Sequence, residues 1–266
     1  MSVSAASLLA QSQVPSERPW LSSPEETALS RDPEVVREMF DHVARRYDLA
    51  NHLLSFGRDF FWRRRAAEIV AQWNPACVLD LATGSGDLAL ALQDKISRGQ
   101  IVGLDFSSTM LGLARAKGVR HLMAADIAQL PLAEQSFDAV TIAFGLRNVR
   151  DRAAALREMC RVLTSGGHLL VLDFSVPSQP ILRLLYRSYL RRILPFASAI
   201  ITREKKAYQY LGASIENFPS GQATCDLIEA SGFRNVKAEP LTGGIVTIYT
   251  AEKARHPERQ SRDPAA

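Results

Sequence analysis

Acidic and glycine residues stand where three apolar stretches of the sequence end. The stretch "CVLDLA" contains Asp80 and continues into "TGSGD", which supplies Gly84 and Gly86. The second stretch ends at Asp105, about 20 residues further on, where an acid can bind ribose hydroxyls. The third is followed by Asp126, which can accept a hydrogen bond from an adenine amino group. Glycines let the backbone turn tightly and approach a ligand, so these residues predict a nucleoside-binding site.

The segments that must position these residues alternate between strand-like and helix-like patterns. From residue 77 onward, five short runs rich in Val, Ile and Leu indicate parallel strands that are buried on both faces. Between these runs lie segments whose apolar residues have helical spacing. Ser107 and Asp151 are the predicted N-caps of the second and third helices, and "SGG" at 165–167 is predicted to end the third. This alternation predicts a doubly wound α/β sheet. Arg147 and Asn148 follow its fourth strand, so they are expected at the same edge as the acids.

The last part of the domain has a different pattern. A helix-like segment precedes the strands "NVKAEPL" and "GIVTIYTAEK", which are joined by the turn residues 242–244. So short a connection predicts an antiparallel pair. A mostly parallel, Rossmann-like seven-stranded sheet closed by such a hairpin resembles the class I methyltransferase fold.

The 266 residues divide into a central domain and two polar ends. We expect residues 1–32 and 254–266 to be disordered and 33–253 to form one domain, with N-terminal helices that begin at Asp32 and Pro33. Residues 175–218 interrupt the sheet as a helical insertion, which we interpret as a lid over the substrate. No apolar run of about 18 residues and no secretory signal are found, so a cytoplasmic protein is expected.

The cofactor has two candidates. A nicotinamide dinucleotide usually requires a third glycine and a pyrophosphate at the helix N-terminus. Here the turn continues as "GSGDLAL", and Asp87 at the helix start is expected to repel a pyrophosphate. S-adenosylmethionine has no phosphate and carries a sulfonium cation, so it suits the site better. No metal is required, and no His, Cys and Asp cluster indicates one.

Three stretches narrow the prediction further. They are "YDLANHLLSFGRDFFW" at 47–62, "FGLRNV" at 144–149 and "RVLTSGGHLLVLDFS" at 161–175. Together they closely resemble the methyltransferase family that C-methylates the ring in menaquinone and ubiquinone biosynthesis, over about residues 33–253. The resemblance implies that S-adenosylmethionine methylates a reduced polyprenyl quinone, demethylmenaquinol before the equivalent benzoquinol. A methyltransferase for another small phenol or amine, or a non-catalytic protein that binds the cofactor, stays open.

The resemblance also implies roles for single residues. Ser85, Asp105, Asp126 and the backbone of Ile127 are expected to bind the cofactor. The family has a serine where Ala143 stands, so a contact there must come from the main chain. The family also has a histidine where Asp59 stands and a glutamate where Asp173 stands, which puts any proton-handling role of position 59 in question.

The implied reaction needs a cation or a base beside a ring hydroxyl. A phenol ionises near pH 10, and a nearby cation can lower its pKa by roughly 1 to 3 units. Arg147 is the candidate cation, with Asn148 orienting the oxygen, Tyr47 on a flap over the cofactor, and Asp59 as a further candidate. The structural alternatives are a salt-bridging arginine and a helix-packing tyrosine.

The long quinone tail needs an apolar path, and the insertion offers one. In "PILRLLYRSYLRRILPF", Leu, Ile and Tyr alternate with Arg183, Arg187 and Arg191 at four-residue steps. Such a basic amphipathic segment, 180–194, can lie at a membrane surface, and its alternative is a lid with a solvated face. A homo-oligomer is possible, and no nucleic-acid partner is expected.

Overall fold

The core of the fold is one seven-stranded sheet. A computed structural model describes residues 31–39, 41, 55, 57–194 and 205–254. The strand order is β3-β2-β1-β4-β5-β7-β6, in which β5, β7 and β6 pair antiparallel and the other neighbours pair parallel. This confirms the predicted sheet and its closing hairpin. The strands are β1 Cys77–Leu81, β2 Gln100–Asp105, β3 His121–Ala124, β4 Phe137–Ala143, β5 Leu163–Phe174, β6 Phe233–Leu241 and β7 Val246–Lys253.

Helices cover the sheet, so that two apolar clusters contain the buried side chains of its strands. Leu79, Leu81 and Val140 belong to one cluster, and Val78 and Ala139 belong to the other. Neighbouring residues of a strand thus enter different clusters, as expected for strands covered on both faces. The described helices are α1 33–39, α2 Arg58–Gln72, α3 Asp87–Lys95, α4 Ser108–Lys117, α5 Arg152–Val162, α6 Pro180–Ser188, α7 Lys205–Glu216 and α8 Gln222–Ala230.

The predicted helix starts are confirmed. Ser107 accepts a hydrogen bond from the backbone of Met110 at 3.0 Å, and Asp151 accepts one from Ala154 at 2.8 Å. Asp32 likewise caps α1 by accepting a hydrogen bond from the Glu34 amide at 3.0 Å.

The predicted end of the third helix is wrong by several residues. α5 stops at Val162, and β5 begins at the next residue, before the "SGG" of 165–167. Those residues form an irregularity in the β4–β5 pairing instead, because Phe137 pairs with Leu163 whereas Ala139 pairs with His168. Gly166, with φ 76°, supplies the left-handed residue that this bulge needs.

The insertion between β5 and α8 is helical where it is described. α6 continues into a π-helical segment, Tyr189–Ile193, and α7 follows after residues 195–204, which lie outside the described part. Tyr186, Leu190 and Leu194 pack with α1 and α7 in a third apolar cluster. None of the described helices is long and apolar enough to cross a membrane.

Candidate active site

The strand ends enclose a cavity of about 580 Å³, called here the strand-end cavity. The loops after β1, β2, β3 and β4 all line it, since the carboxyl ends of parallel strands meet at one edge of a sheet. The structure therefore brings together the residues that the sequence predicted for the cofactor, apart from Gly86: Asp80, Gly84, Ser85, Asp105, Asp126, Ile127 and Ala143.

Gly86 shapes the turn beneath this cavity. Its φ is 87°, and a Cβ there would lie 2.6 Å from Val119 Cγ2 and 3.0 Å from Ala114 Cβ. A side chain would therefore push α3 away from α4, in addition to straining the backbone. The Gly84 amide, two residues earlier, donates to Asp105 Oδ2 at 2.8 Å, so the turn after β1 is tied to the end of β2.

Two buried carboxylates give the cavity its charge. Asp105 is 5% exposed and accepts from the amides of Gly84 and Ser107. Burial raises its pKa, and these backbone donors counteract that effect. Asp80, at 1% exposure, accepts hydrogen bonds from the Thr83 and Thr141 hydroxyls, each at 2.7 Å. Burial raises the pKa of Asp80 to about 6, although both threonines and the nearby Arg63 favour the ionised form.

Asp87 does not act as an isolated negative charge. Its Oδ1 lies 2.7 Å from Lys117 Nζ, and its Oδ2 lies 3.6 Å from a guanidinium nitrogen of Arg63. These cations offset the carboxylate, so its repulsion of a pyrophosphate is weaker than the sequence alone predicts.

A second cavity of about 470 Å³ lies beside the first and is called here the apolar cavity. Arg63 and Phe144 line both cavities, so they form the boundary between them. Three aromatic side chains form part of its wall. The ring centroids of Phe144 and Phe174 are 4.8 Å apart, and those of Trp62 and Phe144 are 6.1 Å apart. The insertion closes the other side with Leu182, Leu185, Tyr186, Tyr189, Leu190, Leu194, Leu211 and Ile215.

Phe144 holds its place at the boundary in a strained conformation. Its φ is 56°, in the left-handed region that bulky side chains rarely adopt. Its amide donates to the Leu172 carbonyl at 2.7 Å, and its carbonyl accepts from Arg147 Nη1. The next residue must be small, because a Cβ on Gly145 would lie 2.5 Å from Ala82 Cβ. The segment "FGLR" therefore fixes one aromatic ring between two cavities.

Arg147 lines the apolar cavity and is only 2% exposed. Its Nη1 lies 3.0 Å from Asp173 Oδ1, and its guanidinium lies over the Phe174 ring at 5.2 Å. Asn148, in contrast, lines the strand-end cavity, where its Oδ1 accepts from Tyr210 at 3.0 Å. The neighbouring residues Arg147 and Asn148 thus serve different cavities. Tyr47 lies outside the described residues.

Asp59 also lines the apolar cavity, and its partner was missed by the sequence interpretation. Arg63 Nη1 donates to Asp59 Oδ2 at 2.6 Å, one helical turn along α2. Arg63 stood in a run of three arginines that indicated only a charged face. The four-residue spacing from Asp59 was the available signal, but only the packing of α2 shows that the Arg63 side chain is 13% exposed while that of Arg64 is 69% exposed.

Fold and cavities together define a class I methyltransferase, which takes its methyl group from S-adenosylmethionine. The model of the ubiE/COQ5 methyltransferase family matches residues 27–253. The chain belongs to this family.

Several relatives are similar over most of the chain. A demethylmenaquinone methyltransferase of Thermus thermophilus is 44% identical over 220 residues, which are 81% of this chain and 100% of that protein. A ubiquinone/menaquinone biosynthesis C-methyltransferase UbiE of Syntrophotalea carbinolica is 45% identical and covers 83% of this chain and 94% of its own. Among solved structures, a Thermotoga maritima methyltransferase, a possible histamine N-methyltransferase, has a TM-score of 0.59 at 21% identity and covers 81% of this chain and 99% of its own. That likeness shows the fold alone.

Proposed function

We propose that the protein methylates a ring carbon of a reduced polyprenyl quinone, with demethylmenaquinol as the first acceptor and the equivalent benzoquinol as the alternative. One observation carries this proposal: the strand-end cavity and the apolar cavity adjoin at Arg63 and Phe144. A methyl donor in one cavity then faces an acceptor in the other. The names of the relatives support the choice of a quinone over another phenol.

The strand-end cavity suits the donor in charge as well as in size. Asp105 would bind the ribose hydroxyls, and Asp126 with the Ile127 backbone would bind the adenine. The buried carboxylate of Asp80 favours a cationic sulfonium over a phosphate. Ala143 has no polar side chain, so a contact there comes from its backbone.

The apolar cavity suits a quinol with a long tail. Leucines and tyrosines of the insertion line it, and each buried methylene of a tail contributes about 0.8 kcal/mol to binding. Beside the ring hydroxyl, Arg147 would supply a cation that favours the phenolate. Because Asp173 offsets part of that charge, we place the effect of Arg147 near the lower end of the roughly 1 to 3 pKa units that a close cation can produce.

The direct test supplies purified protein and S-adenosylmethionine with demethylmenaquinol and with the demethylated benzoquinol in separate reactions. Mass spectrometry should show one added methyl group on carbon, with the naphthoquinol consumed faster. Preference for the benzoquinol would reassign the substrate. Turnover of neither quinol, in protein that binds S-adenosylmethionine, would overturn the proposal.

Arg147 is tested together with its partner. Arg147→Gln alone would leave the buried Asp173 without its ion-pair partner, a change that can destabilise a fold by about 3 to 5 kcal/mol. The double variant Arg147→Gln with Asp173→Asn avoids this, and we expect it to lower kcat and kcat/KM together by about a hundredfold while S-adenosylmethionine still binds. Arg157→Gln, on the exposed side of α5, is the control. A double variant with wild-type kcat would make Arg147 structural.

We also place the outer face of α6 against a membrane surface that holds the quinone. Ile181, Leu184 and Leu185 are 77%, 69% and 63% exposed on this helix, and Leu185 also lines the apolar cavity. The arginines of residues 180–194 are partly engaged in contacts within the protein. Arg183 donates to the Pro177 carbonyl, and Arg191 donates to the Glu216 carboxylate. The apolar side chains therefore carry more of the predicted contact than the arginines do.

Vesicle sedimentation tests the membrane contact. Binding to vesicles that contain anionic lipid should be lost in an Ile181→Ser, Leu184→Ser variant. Arg234→Gln, on the exposed surface of β6, serves as control. Equal sedimentation of the wild type and the serine variant would discard the membrane contact and leave the methyl transfer untouched.

A further inference from the structure

One carboxylate stands in the wall of the apolar cavity. Of the described residues that line this cavity, Asp59 is the single acid, and it is 3% exposed. Its Oδ1 accepts from the Ser55 hydroxyl at 2.7 Å, and its Oδ2 accepts from Arg63 Nη1 at 2.6 Å. It also lies in the first turn of α2, where the helix dipole favours a negative charge. These contacts hold a charged, oriented carboxylate in a mostly apolar site.

Arg63, the partner of this carboxylate, also lines the strand-end cavity. Besides Asp59, Arg63 lies 3.6 Å from Asp87 Oδ2, and its guanidinium lies over the Phe144 ring at 5.3 Å. With three neighbours fixing its guanidinium, Arg63 has few other positions available. It therefore fixes Asp59 beside the boundary that the methyl group must cross.

The proposed reaction requires a proton acceptor at this place. A ring carbon becomes nucleophilic when the neighbouring hydroxyl loses its proton, and an acceptor must lie within hydrogen-bond reach of that hydroxyl. Tyr186 and Tyr189 line the same cavity, but burial raises the pKa of both phenols, so neither accepts a proton near neutral pH. The described histidines His121 and His168 do not line it.

We propose that Asp59 is the general base of this site and that Arg63 is its positioning residue; this rests on the proposed function. Asp59 takes the hydroxyl proton, and the oxygen's electron pair moves into the ring. The ring carbon bonds to the methyl group as the carbon–sulfur bond breaks, and that electron pair stays on sulfur. Loss of the ring proton to water restores the aromatic ring, and Asp59 returns its proton to the oxygen.

The charges around Asp59 come from several elements. The cations are Arg58 and Arg63 on α2 itself and Arg147 in the loop after β4. The acids are Asp87 at the start of α3, Asp80 of β1 near Arg63, and Asp173 of β5, which pairs with Arg147. Of these cations, Arg63 forms an ion pair with the Asp59 carboxylate, at 2.6 Å.

The test is the pH profile of kcat at saturating S-adenosylmethionine and quinol. Asp59→Asn should lower kcat about a hundredfold or more and remove the acidic limb of the profile. Arg63→Gln makes the carboxylate harder to ionise, so the acidic limb should move to higher pH by about 1 unit or more. Arg63→Lys should restore part of this shift. Arg64→Gln, the adjacent residue at 69% exposure and paired with Glu68, should leave the profile unchanged.

S-adenosylmethionine binding by calorimetry shows that each variant is folded. Asp59→Asn with wild-type kcat, or an Arg63→Gln profile that superimposes on that of Arg64→Gln, would overturn this inference. Such a result with an active wild type leaves the proposed function standing. A wild type that methylates no quinol is the separate failure of the proposed function.

Discussion

Replacing Asp80 with asparagine should make the stability of the protein depend less on pH. Burial raises the pKa of this side chain from its ordinary 3.8 to about 6, against the hydrogen bonds from Thr83 and Thr141. The folded state therefore holds a proton more tightly than the unfolded chain does. Protonated Asp80 stabilises the fold fully below pH 3.8, and this contribution is lost as the pH rises through about 6.

The magnitude follows from the size of the pKa shift. The shift is about 2 units, and each unit corresponds to 1.36 kcal/mol, so the free energy of unfolding should lose about 3 kcal/mol between acid and neutral pH. Asparagine is neutral throughout and loses nothing, and both threonine hydroxyls can rotate to suit its amide. For a domain of this size, about 3 kcal/mol corresponds to a difference of roughly 6 to 12 °C in Tm.

The assay is differential scanning calorimetry without S-adenosylmethionine, for the wild type and Asp80→Asn at several pH values. Other carboxylates titrate in both proteins and cancel in the difference. The Tm of the variant relative to the wild type should rise with pH between 3.8 and about 6 and stay level above that. Asp94→Asn, whose side chain is 76% exposed, should track the wild type. A Tm difference between the wild type and Asp80→Asn that stays constant with pH would refute the reasoning.

Three further outcomes are expected. Asp105→Ala should weaken calorimetric binding of S-adenosylmethionine markedly, because we propose that Asp105 binds the ribose; unchanged affinity would remove it from the site. Gly145→Ala should lower the free energy of unfolding by about 1 to 3 kcal/mol in denaturant titrations, since the new Cβ would meet Ala82. Arg65→Gln should lower it by less than about 1 kcal/mol, although Arg65 makes two hydrogen bonds to Glu239, because the two side chains are 35% and 42% exposed to solvent; a larger loss would contradict this prediction.

The sequence was most informative where burial and strand ends control the pattern. β1, β2, β4 and β5 are recognisable as apolar runs because both faces of the sheet are covered. Asp80 and Asp105 could be placed together because parallel strands end at one edge. The N-caps Ser107 and Asp151 follow from local hydrogen bonding.

The remaining features depend on contacts between distant segments. The separation of Arg147 and Asn148 into two cavities depends on the single turn after the strained Phe144. The bridge from Asp59 through Arg63 to Asp87 depends on how α2 lies against α3, which no spacing within α2 specifies. Local patterns therefore predicted which residues meet at the strand ends better than which residues meet around the apolar cavity.

The π-helical segment Tyr189–Ile193 limits which deletions the helical insertion can tolerate. Tyr186, Leu190 and Leu194 recur every four residues and share one apolar cluster. In an α-helix of 3.6 residues per turn, that spacing drifts around the axis by about 40° at each step. The wider π turn takes up the drift and keeps the three side chains in phase. Deleting Arg192 from this segment would restore α-helical geometry, and it would rotate the residues after it out of phase with the apolar cavity without removing any residue that lines the cavity.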